Sequence, residues 1–203
     1  MLTRYSYKVV RRYAIIVISL SPIVFLDLKG ENTMSIERIR YNQYSEEALK
    51  QIEKGAFLTV KDKDELNTMT IRWGSISYIW NRPIFMVAIR YSRHTYNLIE
   101  NAKEFTVSIP LKDKLEKELE YCGTKSGQEV NKFEECNLTP IEGQKISTPI
   151  IGECELHYEC KVVYQQAMEP DTLDESIKRG KYPNEDYHVL YFGEIVDTYL
   201  LNN

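Results

Sequence analysis

The chain has 203 residues, 43% of them hydrophobic, with 26 Lys and Arg against 30 Asp and Glu. That length can bury one substantial core, and no apolar run is long enough to cross a membrane as a comfortable helix. The first 33 residues hold five of the basic and two of the acidic side chains, which leaves 21 against 28 in residues 34–203, a net of −7. Such an acidic body suits a nucleic-acid backbone poorly, so no nucleic-acid partner is expected.

At the start of the chain Arg4, Lys8, Arg11 and Arg12 precede an apolar stretch from Tyr13 to Leu26, the charge-then-apolar order of a secretory signal. No small-x-small cleavage site follows between Asp27 and Thr33, and Met34-Ser35-Ile36-Glu37 reads like an ordinary cytosolic amino terminus. Two units are therefore expected. Residues 1–33 are an N-terminal extension, signal-like or upstream of the true start, that does not contribute to the fold; residues 34–203 are the domain. A cytoplasmic location follows, or an exported or membrane-associated one if the extension is a genuine signal or anchor.

Ser45 to Lys54 predicts a short helix with Ser45 as cap, Glu46 and Glu47 in the first turn, Ala48, Leu49 and Ile52 facing inward, and Gly55 as its stop. Strands are expected near residues 56–60, 68–73, 84–90, 105–109, 155–163 and 189–199, from β-branched and aromatic residues bounded by turn formers. Ser92 reads as the N-cap of a helix running to about Lys103, with Tyr96, Ile99 and Ala102 at helical spacing. Residues 112–120 and 128–135 should be outer helices. Gly123 and Gly127 bracket a loop that approaches something closely. Residues 165–186 are polar and acidic, with a small helix at 172–178, and read as an excursion over one end of a barrel.

Two runs carry chemistry. Asn67-Thr68-Met69-Thr70-Ile71-Arg72-Trp73-Gly74-Ser75 sets short hydroxyl and amide side chains beside a Trp, which suits a flat heteroaromatic ring with hydrogen-bonding edges. After one strand, Arg90-Tyr91-Ser92-Arg93-His94-Thr95-Tyr96 places two guanidinium groups and two hydroxyls at a helix start, where unpaired N–H groups and the dipole favour a phosphate. The other polar residues carry less. His94, His157 and His188 are scattered, and a lone His in a strand is more often a packing or surface residue than a catalyst. Cys122, Cys136, Cys154 and Cys160 form no C-x-x-C pair and read as reduced core thiols, with no metal site expected.

With both runs in view the chain resembles the flavin reductase-like family of FMN-binding split barrels, which includes NAD(P)H:flavin oxidoreductases and flavoredoxins. The resemblance continues through Glu104 to Pro110, Tyr121 to Gly127, Val130 to Phe133, Leu138 to Pro140, Pro149 to Cys154, Leu156 to Val163 and His188 to Val196. It implies a mainly β (α+β) fold, a Greek-key split β-barrel with short peripheral helices. It implies FMN as cofactor, with Asn67, Met69, Thr70, Trp73 and Ser75 along the isoalloxazine and Arg90, Ser92, Arg93 and Thr95 at the phosphate. Ser126, Gly127 and Lys132 would close over the ribityl or phosphate end, with His188 close to the flavin. No side chain is expected to be catalytic, because FMN carries the hydride chemistry. The implied activity is an NAD(P)H-dependent FMN reductase passing electrons to free flavin or a partner protein, from a homodimer. The alternative is a flavoredoxin-like electron carrier that does not oxidise a nicotinamide.

Overall fold

The computed structural model describes residues 13–16, 23–27, 33–112 and 114–202. In chain order the elements are β1 (Tyr13–Ile16), β2 (Ile23–Asp27), β3 (Thr33–Arg38), α1 (Ser45–Lys54), β4 (Ala56–Asp62), β5 (Glu65–Ile71), β6 (Gly74–Ile79), β7 (Arg82–Arg90), α2 (His94–Ala102) and β8 (Glu104–Ile109). Then follow α3 (Glu116–Thr124), α4 (Lys132–Glu135), β9 (Pro140–Ile141), β10 (Ile150–Ile151), β11 (Leu156–Ala167), a 3-10 turn at Pro170–Thr172, α5 (Glu175–Lys181) and β12 (His188–Asn202).

The strands pair antiparallel throughout, in the order β6-β7-β12-β11-β8-β4-β5 around the barrel. β12 divides its partners: His188 to Glu194 pair with β7 and Tyr199 to Asn202 with β3, while β11 runs beside both parts. Two register shifts in the β11–β12 ladder, at Glu159/Cys160 and Val162/Tyr164, bend the pair between those two directions. Among the described residues β5 has no ladder with β6, so the barrel is open at that seam and only Arg72 and Trp73 bridge it. The result is the expected α+β split barrel of Greek-key type with peripheral helices.

Alternation along the strands fills two layers. In β4, Leu58 and Val60 join Met69, Phe85, Val107 and Tyr158 inside the barrel, while Phe57 points the other way and packs with Leu119, Cys122 and Phe133 beneath α3 and α4. Each such fully buried side chain contributes about 1.5–3 kcal/mol. Gly193 is required where β12 crosses the core, because a Cβ there would lie 2.6 Å from the Phe105 ring. Glu159, fully buried, accepts from the backbone N–H groups of Gln144, Lys145 and Ile146 and from the Tyr199 hydroxyl, which offsets its desolvation and pegs the 142–149 loop to β11.

Several local expectations change. Leu49, expected to face inward, is 41% exposed; Gln51 takes the buried position beside Ala48 and Ile52 and donates from Nε2 to the Gly55 carbonyl. Tyr44, not Ser45, is the cap of α1, since Ser45 Oγ donates back to Asn42. α2 starts at His94 with Arg93 as its cap residue, because the Ser92 hydroxyl is engaged elsewhere. Helix formation in the 112–124 region is shifted towards the C-terminus, so Gly123 lies in α3 and not in a loop. β3 and β6 were not expected: β3 has only six residues and β6 is half exposed, so neither shows an apolar run. The extension of residues 1–33 was expected outside the fold, yet the backbone of β1 pairs with β2, and β2 with β3. Met34 and Ile36 of β3 pack against Tyr199 and Leu201. No helix among the described residues is long and apolar enough to cross a membrane.

Candidate functional site

Most of the predicted residues, Met69 and Ser75 excepted, lie in two groups about the open seam. The first surrounds the start of β5. Asn67 is buried and donates from Nδ2 to Thr95 Oγ1 at 2.8 Å, tying β5 to the first turn of α2. Gly127 lies against the same amide: a Cβ there would fall 2.1 Å from Asn67 Oδ1, so this is the close approach that the loop glycine permits. Ser126 Oγ accepts from the Gln128 N–H and steadies the turn. Lys132 is buried, and its Nζ donates to the carbonyls of Thr68 and Cys122, both at 2.9 Å. Thr70 donates to the Leu119 carbonyl and holds β5 to α3. A cavity of about 660 Å³ opens beside this group, with Asn67, Gly127, Asn131 and Lys132 in its wall.

The second group lies at the ends of β7 and β12. Arg90 donates from Nη1 to the Asp186 carbonyl at 2.6 Å and from Nη2 to the Lys181 carbonyl at 2.9 Å, with its guanidinium 5.1 Å from the Tyr182 ring centroid. Ser92 Oγ donates to Asp186 Oδ2 at 2.6 Å, and the Ser92 N–H to Oδ1 at 3.3 Å. His188 Nδ1 lies 2.8 Å from the Tyr182 hydroxyl, and its ring is 4.7 Å from that of Trp73. A second cavity, of about 280 Å³, is lined by Arg72, Trp73, Ala88, Arg90, Lys181 and His188. Trp73 is 38% exposed there, a large apolar face left open at the seam.

Arg93 links the groups. It donates from Nη1 to the Gly123 carbonyl at 3.1 Å, and its charge acts on both Lys132 and His188. Burial pulls the Lys132 ammonium below its usual value and Arg93 adds to the fall. His188 is pushed down to about 4, by burial first and then by Arg90 and Arg93, so its ring is neutral at pH 7. Among the described residues no carboxylate pairs with Arg93 or Lys132, although the chain as a whole is acidic. Arg93 therefore acts on groups in both parts of the site, and the carboxylate of Asp186 lies against Arg90. That carboxylate on one N–H, one hydroxyl and a guanidinium stands where a phosphate oxygen set would fit.

Met69 and Ser75 do not join either group through their side chains. Met69 points into the barrel core and Ser75 is half buried on β6 opposite Met86. Sequence reasoning missed Asp186 and Tyr182 because they stand 94 and about 90 positions from the residues they meet, within a segment that reads only as polar. His157 is a core histidine: its Nε2 donates to the Cys154 carbonyl, its Nδ1 pairs with Ser108 Oγ, and burial pulls it down to about 3.

Residues 54–203 match the family described as "Flavin reductase like domain". An uncharacterized protein of Archaeoglobus fulgidus is 34% identical over 140 residues, 69% of this chain and 68% of its own. Among solved structures, the flavoredoxin of Desulfovibrio vulgaris (Miyazaki F) superposes with a TM-score of 0.56 at 26% identity, covering 71% of this chain and 67% of that one. The flavoredoxin from Methanosarcina acetivorans gives 0.55 at 27% identity, with the same coverage.

Proposed function

The chain belongs to the flavin reductase-like domain family, and from that premise we propose that it binds FMN at the seam and works as an NAD(P)H-dependent flavin oxidoreductase, handing electrons to free flavin or to a partner protein. The observation that carries this is the anion cradle: the Ser92 N–H and Oγ with Arg90 already hold a carboxylate, and Arg93 and Lys132 add two positive charges that meet no carboxylate among the described residues. These donors suit the phosphate of FMN. Bound FMN would supply the hydride chemistry, accepting at its ring and passing electrons on.

The protein's part is binding and orientation. Arg90, Ser92 and Arg93 hold the phosphate, and the backbone of β5 with the buried Asn67 and Thr95 offers the polar edge for the ring. Trp73 lends an apolar face, and the His188 ring, neutral at pH 7, lies beside it. Lys132 and the 126–127 turn close the remaining end. α5 and the segment up to Asp186 cover the second group and are the natural lid for a nicotinamide entering over the open face. The working unit is a homodimer, for which the exposed aromatic surface of Tyr78, Trp80 and Tyr164 is suited. Light scattering that finds a monomer retaining full FMN would remove the dimer from this account.

The second reading, an FMN electron carrier, is favoured by the two flavoredoxins among the similar structures. Rapid mixing of the FMN-loaded protein with NADH or NADPH separates the two: bleaching of the flavin within seconds supports the reductase. No reduction by either nucleotide, with reduction by a reduced protein donor, establishes the carrier.

A further inference from the structure

Cys122, in the last turns of α3, and Cys136, immediately after α4, stand fourteen positions apart in sequence, yet their Sγ atoms are 4.0 Å from each other. Both are free thiols, Cys122 buried and Cys136 half-buried. The segment they bracket carries Ser126, Gly127 and Lys132, and its first end is tied to the site: Lys132 Nζ donates to the carbonyl of Cys122 itself, and Arg93 to the carbonyl of Gly123. The Lys132 ammonium acts on both thiols, opposing the effect of burial, which pushes Cys122 up to about 12 and raises Cys136. Cys154 and Cys160 are wholly buried, and among the described residues neither is paired with another cysteine.

We propose that Cys122 and Cys136 are a reversible disulfide pair, a redox staple that fastens the 123–135 segment to the end of α3. The sulfurs are in van der Waals contact, and side-chain rotation brings such a pair to the bonding distance of about 2 Å. The oxidant is a low-molecular-weight disulfide. The more accessible Cys136 attacks it as thiolate, forming a mixed disulfide and releasing one small thiol. Cys122 then attacks the Cys136 sulfur and expels the second small thiol, so that two protein thiols and one small disulfide become one protein disulfide and two small thiols, the protons passing to the leaving sulfurs. The effect on the cofactor, which rests on the FMN reading above, is preorganisation: a stapled segment holds Gly127 and Lys132 in place, so the oxidised form binds FMN several-fold more tightly.

Full-length protein treated with oxidised glutathione under native conditions, followed by intact mass and peptide mapping, tests this. The expected result is loss of two hydrogens, a peptide linking Cys122 to Cys136, and reversal by dithiothreitol. Cys122→Ser should stop at one glutathione adduct on Cys136, and Cys136→Ser should not react. Four unreacted thiols in the wild type, or a stable glutathione adduct there, overturns the staple. Equal FMN affinity of the oxidised and reduced forms overturns its link to the site. FMN binding by neither form, with the disulfide made, counts against the cofactor reading and leaves the staple standing.

Discussion

Asp186→Asn should tighten FMN binding. In the protein as folded, the Asp186 carboxylate accepts from the Ser92 hydroxyl at 2.6 Å and from the Ser92 N–H at 3.3 Å, and it lies 3.7 Å from Arg90 Nη1. These are the donors assigned to the phosphate, so the carboxylate must leave them before FMN can be held, and its charge opposes the incoming dianion. A hydrogen bond to a charged oxygen is worth about 1.5–3 kcal/mol against about 1 for a neutral one. The ion pair, with side chains 26% and 29% exposed, adds no more than about 1 kcal/mol after screening. The amide keeps the shape and one acceptor while losing the charge, so the gain is about 1–2 kcal/mol, roughly 5- to 30-fold in Kd. Arg90 keeps its bonds to the carbonyls of Lys181 and Asp186, so the covering segment stays anchored. Fluorescence quenching of FMN and of riboflavin, titrated in parallel, measures the effect. Riboflavin has no phosphate and should change little. An equal gain for both flavins, or a loss for FMN alone, would refute the assignment of Ser92 and Arg90 to the phosphate.

Arg93→Ala should weaken FMN by roughly 10- to 100-fold and riboflavin far less, the loss expected of one charge-assisted phosphate contact; equal losses would put Arg93 away from the phosphate. Gly127→Ala drives a Cβ into Asn67 Oδ1 and should break the buried Asn67–Thr95 bond, costing about 1–3 kcal/mol in chemical denaturation; an unchanged midpoint would show that the turn moves aside freely. His157 and His188 have folded values near 3 and 4 against 6.5. The unfolded chain therefore binds more protons than the folded one below pH 6.5. Stability should be insensitive to both above that value and should fall by about 1.4 kcal/mol per pH unit for each as pH drops towards 4. Thermal melts of His188→Gln should show a shallower fall than the wild type, and identical slopes would contradict the burial argument. Deleting residues 1–33 should leave FMN content unchanged, since every assigned residue lies between 67 and 188 and β3 keeps its ladder to β12; absorbance of the purified protein checks it, and loss of flavin would tie the extension to the site.

The amino-acid sequence by itself determined the architecture and the two chemical runs. Strand-forming stretches at 56–60, 84–90 and 105–109 are apolar because both of their faces are largely covered, and 189–199 alternates one buried face with one half-exposed face, so these patterns survive without knowledge of the partners. The ring-type and phosphate-type runs are contiguous, and contiguity is what a linear reading detects. Short or half-exposed strands such as β6 carry too little buried surface to declare themselves, and the exact start of α2 depended on where the Ser92 hydroxyl went. Tertiary structure alone decided which residues meet. It set Asp186 on Ser92 and Tyr182 on Arg90 across roughly ninety positions, brought Cys122 to Cys136, and pressed Gly127 against Asn67. The physical reason is that hydrogen bonds, ion pairs and sulfur contacts act over a few ångströms, and the ladders of β12 with β7 and β11 bring distant segments within that range without leaving any local trace in the chain.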